Sequence, residues 1–127
     1  MNDDRRFRRS SRLLDSPAFS RVFKKANRSR DRVFTVLCRE NGGQEARLGL
    51  AISKKNCSLA VGRNRLKRLV RESFRHHGTA LTGLDVVVLN QPDAKRTGNK
   101  ALTQSLERHW QQCQSAQTGR AEKTRNG

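Results

Sequence analysis

The chain is 127 residues long and carries 28 lysines and arginines against 11 aspartates and glutamates, a formal charge of +17 with a pI near 11.5. That length suits one domain around one core. Charge of that size repels itself in a folded monomer, so it points to a polyanionic partner: nucleic acid first, an anionic membrane surface second. Cys38, Cys57 and Cys113 are odd in number and form no C-x-x-C pair, which argues against a disulfide framework or a zinc site and suits idle thiols in a reducing cytoplasm. No signal-peptide core and no run of about 20 apolar residues occurs, so the chain is expected to be soluble and to remain inside the cell.

Residues 1–12 read as a mobile basic arm, with Arg5, Arg6, Arg8, Arg9 and Arg12 following two aspartates. In "DSPAFSRVFKKA", Ser16 before Pro17 is a helix-start pair. The short helix it opens ends near Ala26 and places Phe19 and Phe23 four apart on one face. A short strand fits near 27–31, and "RVFTVLC", 32–38, is a strand by its β-branched and aromatic content. "ENGGQEA" supplies a turn. "RLGLAIS" then alternates, Leu48, Leu50 and Ile52 on one side and Arg47, Gly49, Ala51 and Ser53 on the other.

A long basic helix follows. Leu59, Leu66, Leu69, Val70 and Phe74 share one arc, and six basic side chains occupy the thirteen positions from Arg63 to Arg75. Its exact start is open, with Ser58 a candidate cap. "DVVVLN", 85–90, is a continuous apolar strand that reads as buried on both faces. After a loop at 91–98, Leu102, Leu106, Trp110 and Cys113 recur at helical spacing, with Trp110 as an anchor. Residues 114–127 are polar and aperiodic and read as a disordered tail. The order is α-β-β-α-β-α in one domain over 13–113.

On the basic helix Arg63/Lys67, Lys67/Arg71 and Arg71/Arg75 are like-charged pairs at steps of four, together costing about 1 kcal/mol in the free protein. A merely solvated face would mix signs, yet Glu72 alone relieves them. Asn64, a mediocre helix former, lies among these cations with a carboxamide able to bond a base edge or a ribose hydroxyl. Lys54 and Lys55 lie between strand and helix, close to a helix N-terminus that favours phosphate. Phe19 and Phe23 are core residues by the bland reading, or stack on an unpaired base. His76, His77 and His109 have no carboxylate at an obvious orienting distance in sequence. Nucleophile-elbow, metal-ligand and phosphate-loop motifs are absent, so the chain is expected to hold no catalytic residue and no metal of its own.

"RLGLAISKKNCSLAVGRNRLKRLVRESF" resembles the signature of the protein subunit of bacterial ribonuclease P: a strand, Ser-Lys-Lys, Ala-Val, then Arg-Asn-Arg-x-Lys-Arg-x-x-Arg-Glu. "RLLDSPAFSRVFKKA" resembles the family's first helix and "LDVVVLN" its last strand, so the likeness spans 12–113. The resemblance implies an α+β fold, a small two-layer sandwich with a mixed sheet and a left-handed βαβ crossover, where general topology rules favour a right-handed one. It implies a protein that binds the catalytic RNA cleaving precursor tRNA at its 5′ leader, with hydrolysis carried by that RNA and its magnesium. No membrane or DNA partner is implied. Arg63, Asn64, Arg65, Lys67, Arg68 and Arg71 match the RNA-contacting helix. Lys54 and Lys55 match its lysine pair, and Phe19 and Phe23 match the aromatics of a leader-binding cleft between first helix and sheet. The chain has no tyrosine; Val36-Leu37-Cys38 stands where some members carry one near the end of the first long strand.

Three rival classes stand beside this one. A ribosome-associated nucleic-acid-binding module needs no groove. A DNA reader needs base-edge contacts from residues 63–75 and a dimer. A protein nuclease using His76 or His77 would cut RNA unaided.

Overall fold

The structure, a computed structural model, describes residues 26–43 and 45–126, with side chains through 116. The arm at 1–12 and the expected first helix up to Lys25, Phe19 and Phe23 included, lie outside the described residues.

Four strands, β1 (Asn27–Arg30), β2 (Phe34–Glu40), β3 (Arg47–Ala51) and β4 (Leu84–Asn90), form one mixed sheet in the order β1-β2-β4-β3. β1/β2 and β2/β4 are antiparallel, and β3/β4 is parallel. A parallel pair cannot be joined by a hairpin, and the crossover is the basic helix, α1 (Ala60–His77). A 3₁₀ turn (Pro92–Arg96) then leads to α2 (Asn99–Asn126). The short strand expected near 27–31 is β1, and the 32–38 strand lies two residues later than its composition suggests. The reason is Asp31, whose Oδ1 accepts the N–H groups of Val33 and Phe34, both at 2.9 Å. That side-chain turn occupies the first residues of the apolar run.

One sheet face packs against α1 and α2. Phe34, Val36, Cys38, Leu48, Val86 and Val88 meet Leu66, Val70 and Phe74 of α1 and Leu102, Leu106, Trp110 and Cys113 of α2. Trp110 holds the two helices together: Nε1 donates to Ser73 Oγ at 2.8 Å, and its ring meets Phe74 edge-on with centroids 5.9 Å apart. Leu37 and Val87 are buried on the opposite face with Ala26, Ala51 and Leu89 beside them, so β4 is apolar on both sides as its composition predicts. Of Val36-Leu37-Cys38, only Leu37 belongs to that second face.

Two expectations are corrected. Leu59 is not on the buried stripe: it is 69% exposed, and it is the N-cap, extended at φ −82° and ψ 130° with no side-chain capping bond, so Ser58 does not cap. The backbone also stays helical past Gln114, where the sequence reads as a disordered tail, to Asn126.

Candidate nucleic-acid interface

The six candidate residues on α1 divide into two groups. Arg63 and Arg65 are engaged by the protein itself. Arg63 Nη1 donates to the carbonyls of Cys57 at 3.0 Å and Ser58 at 2.7 Å, pinning the segment that leads into the helix. Arg65 Nε donates to Asn99 Oδ1 at 2.9 Å, and its Nη2 bonds the carbonyl of Thr97. Arg65 therefore clamps the start of α2 onto the second turn of α1. Asn64, Lys67, Arg68 and Arg71 form no ion pair or hydrogen bond among the described side chains, and all but the half-buried Lys67 are exposed. At 100° per residue Asn64, Arg68 and Arg71 fall within one narrow arc. The buried stripe of Leu66, Val70, Ser73 and Phe74 lies on the other side of the helix.

Lys54 and Lys55 are exposed on the turn that enters α1. That turn is fixed by Asn90, a 2%-exposed residue at the end of β4. Its Oδ1 accepts the Ser53 N–H at 2.7 Å, while Asn56 Nδ2 donates to the Asn90 carbonyl at 2.8 Å. The Asn56 N–H in turn bonds Ser53 Oγ at 3.3 Å. Sequence reasoning missed Asn90 and Asn56. A polar residue closing an otherwise apolar strand is the one local sign that Asn90 has a partner.

The opposite edge of the sheet, at β1, holds a polar cluster with no trace in the sequence. His109, 3% exposed on α2, shares a hydrogen bond with Ser29 of β1, Nδ1 to Oγ at 2.6 Å. Its Nε2 lies 3.2 Å from Asp31 Oδ2, close enough for charge attraction but off the hydrogen-bonding direction. Ser105 Oγ donates to the same carboxylate oxygen at 2.6 Å, and Arg108 lies 3.7 Å from it. Burial pushes the His109 imidazole below its ordinary value despite Asp31, and Arg108 adds to that. For Asp31, burial works toward a higher value, but the bonds from Ser105, Phe34 and Val33 outweigh it and hold the carboxyl lower.

The Ser–His–Asp grouping resembles a hydrolytic triad in composition only. The neighbouring cavity of about 460 Å³ is lined by Asp31, Ser105, Arg32, Arg96 and Arg108, and the His109 ring is not among its walls. With the ring 3% exposed and both its nitrogens facing protein groups, the imidazole is out of a substrate's reach. The cluster ties β1 to α2.

Burial and contact with Cys38 likewise hold the Cys113 thiol protonated: the Cys38 hydrogen bond contributes most, and desolvation adds to it. Cys38, Cys57 and Cys113 are all buried thiols outside any disulfide. Among the described residues no group of three potential metal ligands occurs, and no helix is long and apolar enough to cross a membrane.

Known proteins share both sequence and architecture with this chain. The family model described as Ribonuclease P matches residues 7–114. A "Ribonuclease P protein component" from Thioalkalivibrio sulfidiphilus is 48% identical over 107 residues, covering 84% of this chain and 89% of the relative. The Staphylococcus aureus RNase P protein superposes with a TM-score of 0.71 at 32% identity, over 77% of this chain and 90% of that one. A mutant of it described as having defective mRNA degradation activity gives 0.73, also at 32% identity, over 78% and 84%. The α+β sandwich, the Arg-Asn-Arg helix and a match over most of the length lead to one assignment: the chain belongs to the ribonuclease P protein family.

Proposed function

We infer that this chain places the outward face of α1, Asn64, Lys67, Arg68 and Arg71, with Lys54 and Lys55 of the preceding turn, against the ribonuclease P RNA. As a protein component of ribonuclease P it is one subunit of a tRNA-processing ribonucleoprotein, and the RNA is the partner that performs the chemistry. The observation that carries the inference is the group of uncompensated cations on one helix face of an already overcharged chain, because each phosphate they neutralise releases counterions. Arg63 and Arg65 belong to the interface mainly as the residues that hold it in shape. Arg65 still has guanidinium donors to spare for a phosphate.

The substrate in this reading is precursor tRNA, its 5′ leader held by Phe19 and Phe23. Magnesium acts on the RNA, and no step is routed through a metal held by the protein. The compartment is the cytoplasm.

Reconstitution tests the proposal. The purified chain is expected to leave precursor tRNA uncut, and to restore leader removal at low magnesium when mixed with the ribonuclease P RNA. The S. aureus description gives the contrary outcome a concrete form: cleavage of mRNA or precursor tRNA by the polypeptide alone would contradict it.

A further inference from the structure

Val61 is 74% exposed. Among the described residues only Leu59 and Val61 are large hydrophobic side chains left in solvent. A β-branched residue on a helix surface loses rotamer freedom and is a weaker helix former than Ala, and here it gains no burial in return. Three residues on stands Asn64, another weak helix former that also faces out, and seven residues on stands Arg68. Positions i, i+3 and i+7 lie along one face, with Arg68 about 10 Å from Val61 along the axis at 1.5 Å per residue. The line therefore runs from an apolar surface, through a group that both donates and accepts, to a cation.

We propose that Val61, Asn64 and Arg68 together receive one unstacked nucleotide of the ribonuclease P RNA: Val61 covers the face of the base, Asn64 bonds its edge, and Arg68 meets a flanking phosphate. This rests on the reading of α1 as the RNA-binding face and adds a point of recognition to it. The platform is firmly mounted. Arg63 fixes the entry segment through the Cys57 and Ser58 carbonyls, and Arg65 fixes the next turn to Thr97 and Asn99, so little ordering is left to be done on binding. A second copy of this chain is the less suitable occupant, because bringing two such faces together would set Arg68 and Arg71 against their own kind.

The experiment measures the affinity of the full chain for ribonuclease P RNA across a salt series, for wild type, Val61→Ser, Asn64→Ala, their double variant, Arg68→Ala and Leu59→Ser. Val61→Ser is expected to weaken binding about tenfold by loss of apolar contact, with an unchanged salt slope and an unchanged melting temperature. Asn64→Ala should do the same, and the double variant should lose far less than the product of the two, since both act on one base. Arg68→Ala should flatten the log–log salt slope by about 0.7 to 0.9. Leu59→Ser, the same change in polarity off the line, should stay within twofold.

Binding by Val61→Ser within twofold of wild type, multiplicative losses in the double variant, or a melting temperature that falls with affinity would each overturn the proposal. So would concentration-dependent dimers of the free chain that Val61→Ser abolishes without changing RNA affinity. A wild-type chain that binds this RNA with no salt dependence would instead remove the reading of α1 on which the proposal rests.

Discussion

A guanidinium offers five N–H donors in a rigid fork, and α1 uses that fork in two ways. Arg65 spends donors on Asn99 and Thr97, whereas Arg68 has no partner among the described side chains. Substituting the two should therefore separate stability from binding. Arg65→Ala removes charge-assisted bonds and is expected to cost about 1–3 kcal/mol of stability. Arg65→Lys should recover only part of it, because an ammonium cannot serve both acceptors with the same geometry. Arg68→Ala should leave the unfolding free energy within about 0.5 kcal/mol of wild type. Denaturant melts of the three variants check this, and equal losses for Arg65→Ala and Arg68→Ala would contradict the division. Sequence spacing shows that these residues share a helix and a charge. It does not show which ones the protein keeps for itself, since Thr97 and Asn99 are more than thirty positions away and nothing local marks them.

At the scale of elements, α1 begins where Gly62 passes close to Cys57. A Cβ at Gly62 would lie 2.8 Å from the Cys57 Sγ, itself buried at 2% exposure. Gly62→Ala should then destabilise by about 1–3 kcal/mol through overpacking, against a helix-propensity gain of about 1 kcal/mol. In a Cys57→Ala background the obstacle is gone and the same change should stabilise. Thermal melts of the two single variants and the double variant read this directly.

The β1–α2 connection through His109 has its own signature. Its folded-state value lies below the ordinary 6.5, so the unfolded chain takes up the proton first as pH falls. Stability is then full above about 6.5 and declines below it. Asp31, held below 3.8, adds a second decline at lower pH. The unfolding midpoint should fall between pH 7 and pH 5 in wild type and stay nearly flat over that interval in His109→Gln; parallel curves would contradict the assignment.

Leu59 shows how far periodicity reaches at this scale. Seven positions before Leu66, it has the right helical angle for the core, but it is the extended N-cap, where helical angles do not apply. The basic face was legible because its spacing lies within one continuous helix. The Asp31–His109 cluster was not, because its members are 78 positions apart.

For the whole molecule, strand identities were readable from alternation and apolar runs, while the order β1-β2-β4-β3, with the last strand inserted between the second and third, was not: local patterns specify faces, and the family likeness implied a mixed sheet and a βαβ crossover without the strand order. That order brings the Ser53–Asn56 turn against Asn90 at the end of β4, and so holds Lys54 and Lys55 at the entry to the basic helix. A +17 chain would be better off alone with fewer such groups, so the central claim is that the α1 face is spent on RNA phosphates. The most direct measurement is the salt dependence of binding to ribonuclease P RNA for wild type and for the combined Lys67→Ala, Arg68→Ala, Arg71→Ala variant. The variant should melt close to wild type, bind more weakly at low salt, and lose about 2 to 3 units of log–log slope at roughly 0.7 to 0.9 per phosphate. An unchanged slope would contradict the claim.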